Sequence, residues 1–365
     1  MSNIISFPQR IRPLEEAGRI GILIDCFCNR RRTTEDVFWL KENAELLNLL
    51  ETSKVTLNTS DLTHYQNFYD SLEHRLCFFP QYYRFILSLA LALALALDLE
   101  ALGLGQGKSA KLCQWVVDHN LVGAELSDLQ RAEAVRLLKR GLGRAQQDDP
   151  ALVDRLHGFI DQSETFSIPN KKAAYELTHI IFYLSEYGRK DPGISTDAVR
   201  SLEFAGLLAL LDHNTDLLAE ICIALRFAGQ TPPLGWEDWV FEQLAGFKAV
   251  KTEIARKILP GDEYHSYLMC SWLAALSGLP LFEGANEPAT LSFHPAPKPI
   301  SALRGMSESI FQMDNARSAD WFKMRGTLTV DLSPQAYRDL QLAEASSDKF
   351  DEFFHGFARC TPVLK

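Results

Sequence analysis

In the stretch YELTHIIFYLSEYG, Tyr175 to Gly188, polar groups recur at helical spacing inside an otherwise apolar segment. Residues three and four apart share a helix face, so Glu176, His179, Tyr183 and Glu186 form a polar stripe beside an apolar stripe of Leu177, Ile181 and Leu184. The imidazole of His179 is the side chain whose charge changes near neutral pH, which suits it to general acid/base catalysis. A carboxylate one turn earlier, Glu176, favours the imidazolium, while burial among Ile180 and Ile181 opposes it. The competing reading is structural: an apolar core face backed by a wet polar one.

Two later segments make the same choice of residues. Asp212, Asp216 and Glu220 follow at gaps of four, with His213 beside them, on a segment carrying Leu217, Leu218, Ile221 and Leu225. Arg226 then falls in apolar surroundings, where it needs a carboxylate, and Glu220 or Glu176 is its expected partner. A third helix is expected to open with Asp262, Glu263, Tyr264 and His265 in its first turn, where acids suit the helix dipole, and His265 leads into the apolar run to Leu273. The candidate catalytic set is therefore His179, Glu176, Tyr183, Glu220, Arg226 and His265. An acid three residues before a histidine is the spacing by which one helix offers two metal ligands. It occurs at Asp61/His64, Asp154/His157, Glu176/His179, Asp262/His265 and Glu352/His355, whereas 47 acids in 365 residues predict about one such case among nine histidines. Glu176, His179 and His265 are thus the candidate ligands for a divalent metal, zinc or iron.

Other motifs fail on spacing or context. Gly103-Leu-Gly-Gln-Gly-Lys-Ser109 has three residues, not four, between its first glycine and the Gly-Lys pair, and it follows a Leu/Ala helix, so it reads as a helix-ending turn rather than a phosphate loop. Neither a Gly-x-Ser-x-Gly elbow nor a His-Glu-x-x-His pair is present.

The elements that must position these groups are helical almost throughout. Thr33-Thr34-Glu35-Asp36 opens a periodic segment to about Glu51, Ser127-Asp-Leu-Gln130 is a capping box before a helix to about Lys139, and Thr196-Asp197 starts another. Breakers such as Gln147-Asp-Asp-Pro150, Asp191-Pro-Gly193 and Thr231-Pro-Pro233 separate them. Only Ile20 to Ile24 and Thr327 to Leu332 read as strands. The fold class is therefore all-α with minor β at most. Three apolar helices end in Gly188, Gly229 and Gly278, each interval holding one further helix (Val199 to Leu211, Glu237 to Leu244), which is the rhythm of stacked helix pairs. An α/α toroid is preferred to an open solenoid, because the most apolar helices also carry the odd polar groups, as inner helices lining a pocket would. The expected organisation is a helical-repeat body with a central pocket over residues 1–300 and a C-terminal helical cap over 301–365 on the same domain, with Pro280 to Pro299 as a long surface loop.

Composition narrows the function classes. With 47% hydrophobic and 10% aromatic residues, the 365-residue chain can build a large core. The net charge of −10 argues against nucleic acid or an anionic membrane as main partner, and the dense run Arg30, Arg31, Arg32 reads as a solvated turn. Seven cysteines, with no signal-peptide pattern at the start, fit free thiols in a reducing cytoplasm, and Cys26-Phe-Cys28 lacks the spacer of a zinc or redox pair. The uninterrupted apolar run Phe85 to Leu97 is shorter than the roughly 18 to 20 residues of a membrane span and reads as a buried helix.

The phrase Ala174-Tyr-Glu-Leu-Thr-His179 with Phe182-Tyr-Leu184, followed by Asp216-Leu-Leu-Ala-Glu220 and Tyr264-His265, resembles a family of uncharacterised helical proteins found beside bacterial secondary-metabolite genes, over Tyr175 to Trp272. The resemblance implies no established reaction. The expected architecture is similar in shape to lanthionine and terpene cyclases, though no Cys-His pair of the zinc cyclases stands out. The expected function is a biosynthetic tailoring enzyme, performing acid/base or metal-assisted lyase or cyclase chemistry on a peptide or small metabolite. A non-catalytic helical scaffold that binds a peptide or protein is the alternative.

Overall fold

The computed structural model describes residues 14–76, 85–143, 150–252, 254, 256–282, 287–313 and 316–360. Cys77 and most of the breaker at 147–150 lie outside the described residues, as do parts of the two ends of the chain. In chain order the helices are α1 (Leu14–Asp25), α2 (Val37–Thr52), α3 (Thr59–Thr63), α4 (Gln66–Leu76), α5 (Phe85–Leu102), α6 (Lys108–Asp118), α7 (Asp128–Leu142), α8 (Pro150–Ile160), α9 (Lys171–Leu184), α10 (Thr196–Leu211), α11 (Thr215–Phe227) and α12 (Trp236–Ala245). After them come β1 (Lys248–Thr252), α13 (Tyr264–Leu276), β2 (Thr290–His294), α14 (Ala302–Gln312), α15 (Trp321–Leu328), α16 (Pro334–Ser346) and α17 (Phe350–Ala358). The chain is mostly helical, and its one sheet among the described residues is the antiparallel pair β1–β2, with Val250 opposite Ser292.

Helix starts follow the capping chemistry. The side chains of Asp36, Ser127 and Ser195 accept hydrogen bonds from backbone N–H groups in the first turns of α2, α7 and α10, satisfying donors that have no partner within the helix. At the other ends Gly188, Gly229 and Gly278 hold φ of +78°, +70° and +76°, the left-handed conformation that glycine adopts without strain. Gly188 is also crowded: a Cβ there would lie 2.5 Å from Cδ1 of Phe227. Gly188→Ala is therefore expected to lower the unfolding free energy by about 1–3 kcal/mol, visible as a lower urea midpoint, and an unchanged midpoint would contradict this account of the turn.

Neighbour relations organise the core. α2 packs against α5, α5 against α7, α7 against α9, α9 against α11, α11 against α13, and α13 against α2. Four further helices lie against these: α6 on α5 and α7, α8 on α7 and α9, α10 on α9 and α11, and α12 on α11 and α13. Of the C-terminal helices, α14 and α16 contact α10, while α17 contacts the short 3₁₀ turn Ser163–Ser167. α5 is apolar all round, which fits a helix covered on several sides, and no described helix is long and apolar enough to cross a membrane. Its one buried acid, Asp98, has its carboxyl pushed up by burial and bonds to Arg140 at 2.6 Å.

Several expectations from the sequence are corrected here. Ile20 to Ile24 is part of α1, and Thr327 to Leu332 is the end of α15 and a turn. The Pro280 to Pro299 segment is not simply a loop, because it contributes β2, whose residues Thr290 to Phe293 are buried. Arg31 is not on a solvated turn. It is buried between Glu42 (2.8 and 3.1 Å) and Asp262 (2.7 Å) and stacks on Phe27, while Arg32 pairs with Glu42 and Asp36. That network welds α2, the segment before α13 and β2 together, and it draws Asp262 out of the helix it was expected to open. Cys26 and Cys28 sit in a π-helical turn, Cys26–Arg30, as buried free thiols pushed up to about 11 and about 12 by loss of solvent. The glycine-rich turn after α5 is tied by Glu100, which accepts hydrogen bonds from the backbone and hydroxyl of Ser109, and Lys108 is spent on the carbonyls of Tyr69 and Asp70.

Candidate functional site

A cavity of about 490 Å³ is lined from α2, α5, α7, α9, α11 and α13, each of the six helices of that circuit contributing. Its walls are largely apolar and aromatic, with Phe182, Tyr183, Tyr187, Met269 and Trp272 prominent, and its polar groups include His179, Glu133, Arg136, Glu45, Glu220 and His265. That size and balance suit a small organic molecule or the end of a peptide.

His179 is held by its own helix. Its Nδ1 lies 2.7 Å from the carbonyl oxygen of Tyr175, one turn back. A carbonyl can only accept, so Nδ1 carries the proton, and in the neutral ring Nε2 keeps its lone pair. Nε2 has no protein partner among the described residues, and the side chain is 36% exposed in the cavity wall. The Tyr183 ring meets the imidazole edge-on at 6.0 Å.

His265 is built differently. Its Nδ1 faces Glu45 at 3.2 Å, and its Nε2 faces Glu220 at 3.4 Å and Asp216 at 3.8 Å. Burial opposes the charge, but the close carboxylates of Glu220 and Glu45 outweigh it and raise the imidazolium to about 10. Glu220 is only 1% exposed; burial would push it up, yet His265, His179 and the Thr178 hydroxyl (2.7 Å) hold it below the ordinary carboxyl range. Asp216 also accepts from the phenol of Tyr175 (2.5 Å). This is a charged knot joining α2, α9, α11 and α13.

Across the cavity stands α7, with Glu133 and Arg136 three residues apart. Burial pushes the Glu133 carboxyl up, only partly offset by Arg136, His179 and the hydroxyl of Tyr183 against which it sits. The Tyr183 phenol is itself raised by burial and by Glu133. Nearby, Glu186, Tyr187 and Gly188 all hold positive φ (+49°, +56° and +78°), so the turn that delivers Tyr187 to the wall stores backbone strain.

The six residues named from sequence thus divide. His179, Tyr183, Glu220 and His265 meet at the cavity. Glu176 does not: it is 32% exposed and faces Lys172 at 3.7 Å, and His179 bonds to a backbone carbonyl instead of to it. Arg226 lies elsewhere, its carboxylate being neither Glu220 nor Glu176 but Glu237, at 2.6 and 2.9 Å. Glu186 leaves the stripe because α9 ends at Leu184, and it pairs with Lys139 and Lys190. Asp212 bonds to Lys171, and His213 to Asp339 at 2.8 Å. Among the described residues no group of three His, Cys, Asp or Glu side chains could hold a metal ion, so Glu176, His179 and His265 do not form the ligand set their spacing suggested. Glu133, Arg136, Tyr187 and Trp272 were missed. Their signal was present in part, since Glu133 and Arg136 share a face of a capped helix, but in a segment rich in charge they read as surface.

No curated protein and no solved structure matches the chain. One family, described as a domain of unknown function (DUF6902), matches residues 1–360. Since that covers nearly the whole chain, the protein belongs to the DUF6902 family.

Proposed function

We propose that the protein is an enzyme that moves a proton on a small substrate held in the cavity. The observation that carries this reading is the placement of His179: its Nδ1–H is spent on the Tyr175 carbonyl, which leaves Nε2 without a protein partner among the described residues, beside a pocket of substrate size. Nε2 takes a proton from the substrate, and Glu220, 3.9 Å from Nδ1, stabilises the imidazolium that results. Glu133 returns a proton to the anion so formed, since a carboxyl raised by burial keeps its proton to higher pH than an ordinary one. Tyr183 positions Glu133. His265, locked between carboxylates on both nitrogens, acts as fixed charge and not as the base.

Such a shift of a proton, alone or with loss of a leaving group, is isomerase or lyase chemistry. Tailoring of a small metabolite or peptide is the setting that the likeness to helical proteins beside bacterial secondary-metabolite genes suggests. The circuit of neighbours from α2 through α5, α7, α9, α11 and α13 back to α2 supports an α/α toroid built of stacked helix pairs, with these six as inner wall and residues 301–365 as a cap. One observation favours the scaffold alternative: the knot at His265 is an ion cluster of the kind that ties helices together without catalysis.

The test is direct. Purified protein is incubated in D₂O with a metabolite extract, and mass spectrometry follows deuterium uptake and new products. Selective labelling or conversion of one compound class is expected, and none across extracts from several sources would overturn the reading.

A further inference from the structure

Arg136 has no role in the proton transfer, yet it is placed as if for a ligand. It is 7% exposed, lines the cavity, and stacks on the rings of Tyr187 at 4.7 Å and Tyr183 at 5.5 Å. Among the described residues it makes no hydrogen bond and has no carboxylate within ion-pair distance, and its Nε is buried without a partner. A buried guanidinium whose donors lack an acceptor is costly, and Glu133 and Asp98 act on its charge only from beyond ion-pair distance. Arg140, four residues on, shows the usual solution in the same helix: it reaches Asp98 and Glu51. The indole Nε1 of Trp272, also in the wall, is a second buried donor with no partner among the described residues.

We infer that Arg136 anchors a carboxylate of the substrate, so that the cavity takes small organic acids with an apolar, aromatic-compatible body. The planar guanidinium matches a carboxylate through two parallel N–H···O bonds, and stacking on two phenol rings fixes its plane beforehand. A monoanion fits better than a phosphate, because the cavity also holds the carboxyl groups of Glu45, Glu133 and Glu220 and sets one unpaired guanidinium against them, Lys41 being paired with Glu45 at 3.8 Å. The rings of Phe182, Tyr187 and Trp272, in contact at 5.4 to 5.9 Å, supply the apolar body's surface. This assignment rests on the cavity being the substrate site, as proposed above, and it names the class of substrate.

The probe pair is 3-phenylpropanoate and its neutral amide, 3-phenylpropanamide, titrated calorimetrically into the 365-residue chain. Charged hydrogen bonds of this kind give the acid an advantage of about tenfold or more. That preference is expected to vanish in Arg136→Gln. In wild-type protein labelled with ¹⁵N-arginine, the acid and not the amide is expected to shift the Arg136 Nε signal, a readout that needs no variant to fold. Equal binding of acid and amide, failure of both to bind at millimolar concentration, or a preference that survives Arg136→Gln would overturn the assignment. Because the readout is equilibrium binding, a protein that prefers the acid but transfers no protons would sink the catalytic reading and leave the anchor intact.

Discussion

His179→Gln is expected to reduce turnover by roughly a hundredfold or more while leaving the protein folded, the scale on which a positioned acid or base is usually worth its place. Glutamine keeps much of the volume and an N–H that can reach the Tyr175 carbonyl, so the local bond that orients the ring is replaceable. What it removes is the basic Nε2. The side chain is partly exposed in the cavity wall, so little core packing depends on it. Deuterium uptake and product formation measured at matched protein concentration give the activity, and the thermal midpoint gives the fold. A stably folded variant with undiminished turnover would place the proton acceptor elsewhere and give the lead to the scaffold reading. A large fall in midpoint would instead make the residue structural.

How much of this was legible in the sequence depends on how local the governing interaction is. Helices α2, α7 and α10 announce themselves because a cap and a 3.6-residue period are written within one segment, and Asp36, Ser127 and Ser195 sit where that chemistry requires. β1 and β2 do not, because a two-stranded pair between residues 248–252 and 290–294 is decided by tertiary contact and each strand is short. Arg31 shows the same limit: three arginines in a row look solvated until Glu42 and Asp262 are brought to them from eleven and 231 residues away.

The site divides along the same line. His179, Glu220 and His265 stood out as polar groups on apolar helices, where burial makes them costly and therefore informative. Glu133 and Arg136 lie on a helix crowded with charge, and only the packing of α7 on α9 turns their face inward. Glu176 was overread because a shared helix face does not imply a shared partner: Lys172, one turn before it, meets it at the surface. Glu186 was overread because the helix stops at Leu184, and the left-handed turn that follows sends it toward Lys139 and Lys190.

The charged knot makes a second large effect measurable. Glu220→Ala removes one of the two acceptors of the Thr178 hydroxyl and one of the carboxylates that hold His265 as an imidazolium, leaving a half-buried cation with fewer counter-charges. Breaking a buried pair from one side costs about 3–5 kcal/mol, so a marked fall in the urea midpoint is expected. The pH dependence supplies the independent check. The folded protein holds His265 at about 10 against an ordinary 6.5, so its contribution to stability is fully present below 6.5 and is lost as the pH rises towards and through 10. Glu220 is held below its ordinary 4.5, so its contribution is present above 4.5 and is lost on acidification through its lowered value. Both are intact between these limits, and the unfolding free energy of the wild-type protein should decline from pH 6.5 towards pH 10. In Glu220→Ala that alkaline decline should shrink, since only Glu45 and Asp216 still favour the imidazolium. Combining Glu220→Ala with His265→Gln should then cost less than the sum of the single changes, because each removes the interaction the other depends on. Additive costs with an unchanged alkaline limb would mean that the two side chains do not act as a pair, and the fixed charge beside His179 would have to come from another group.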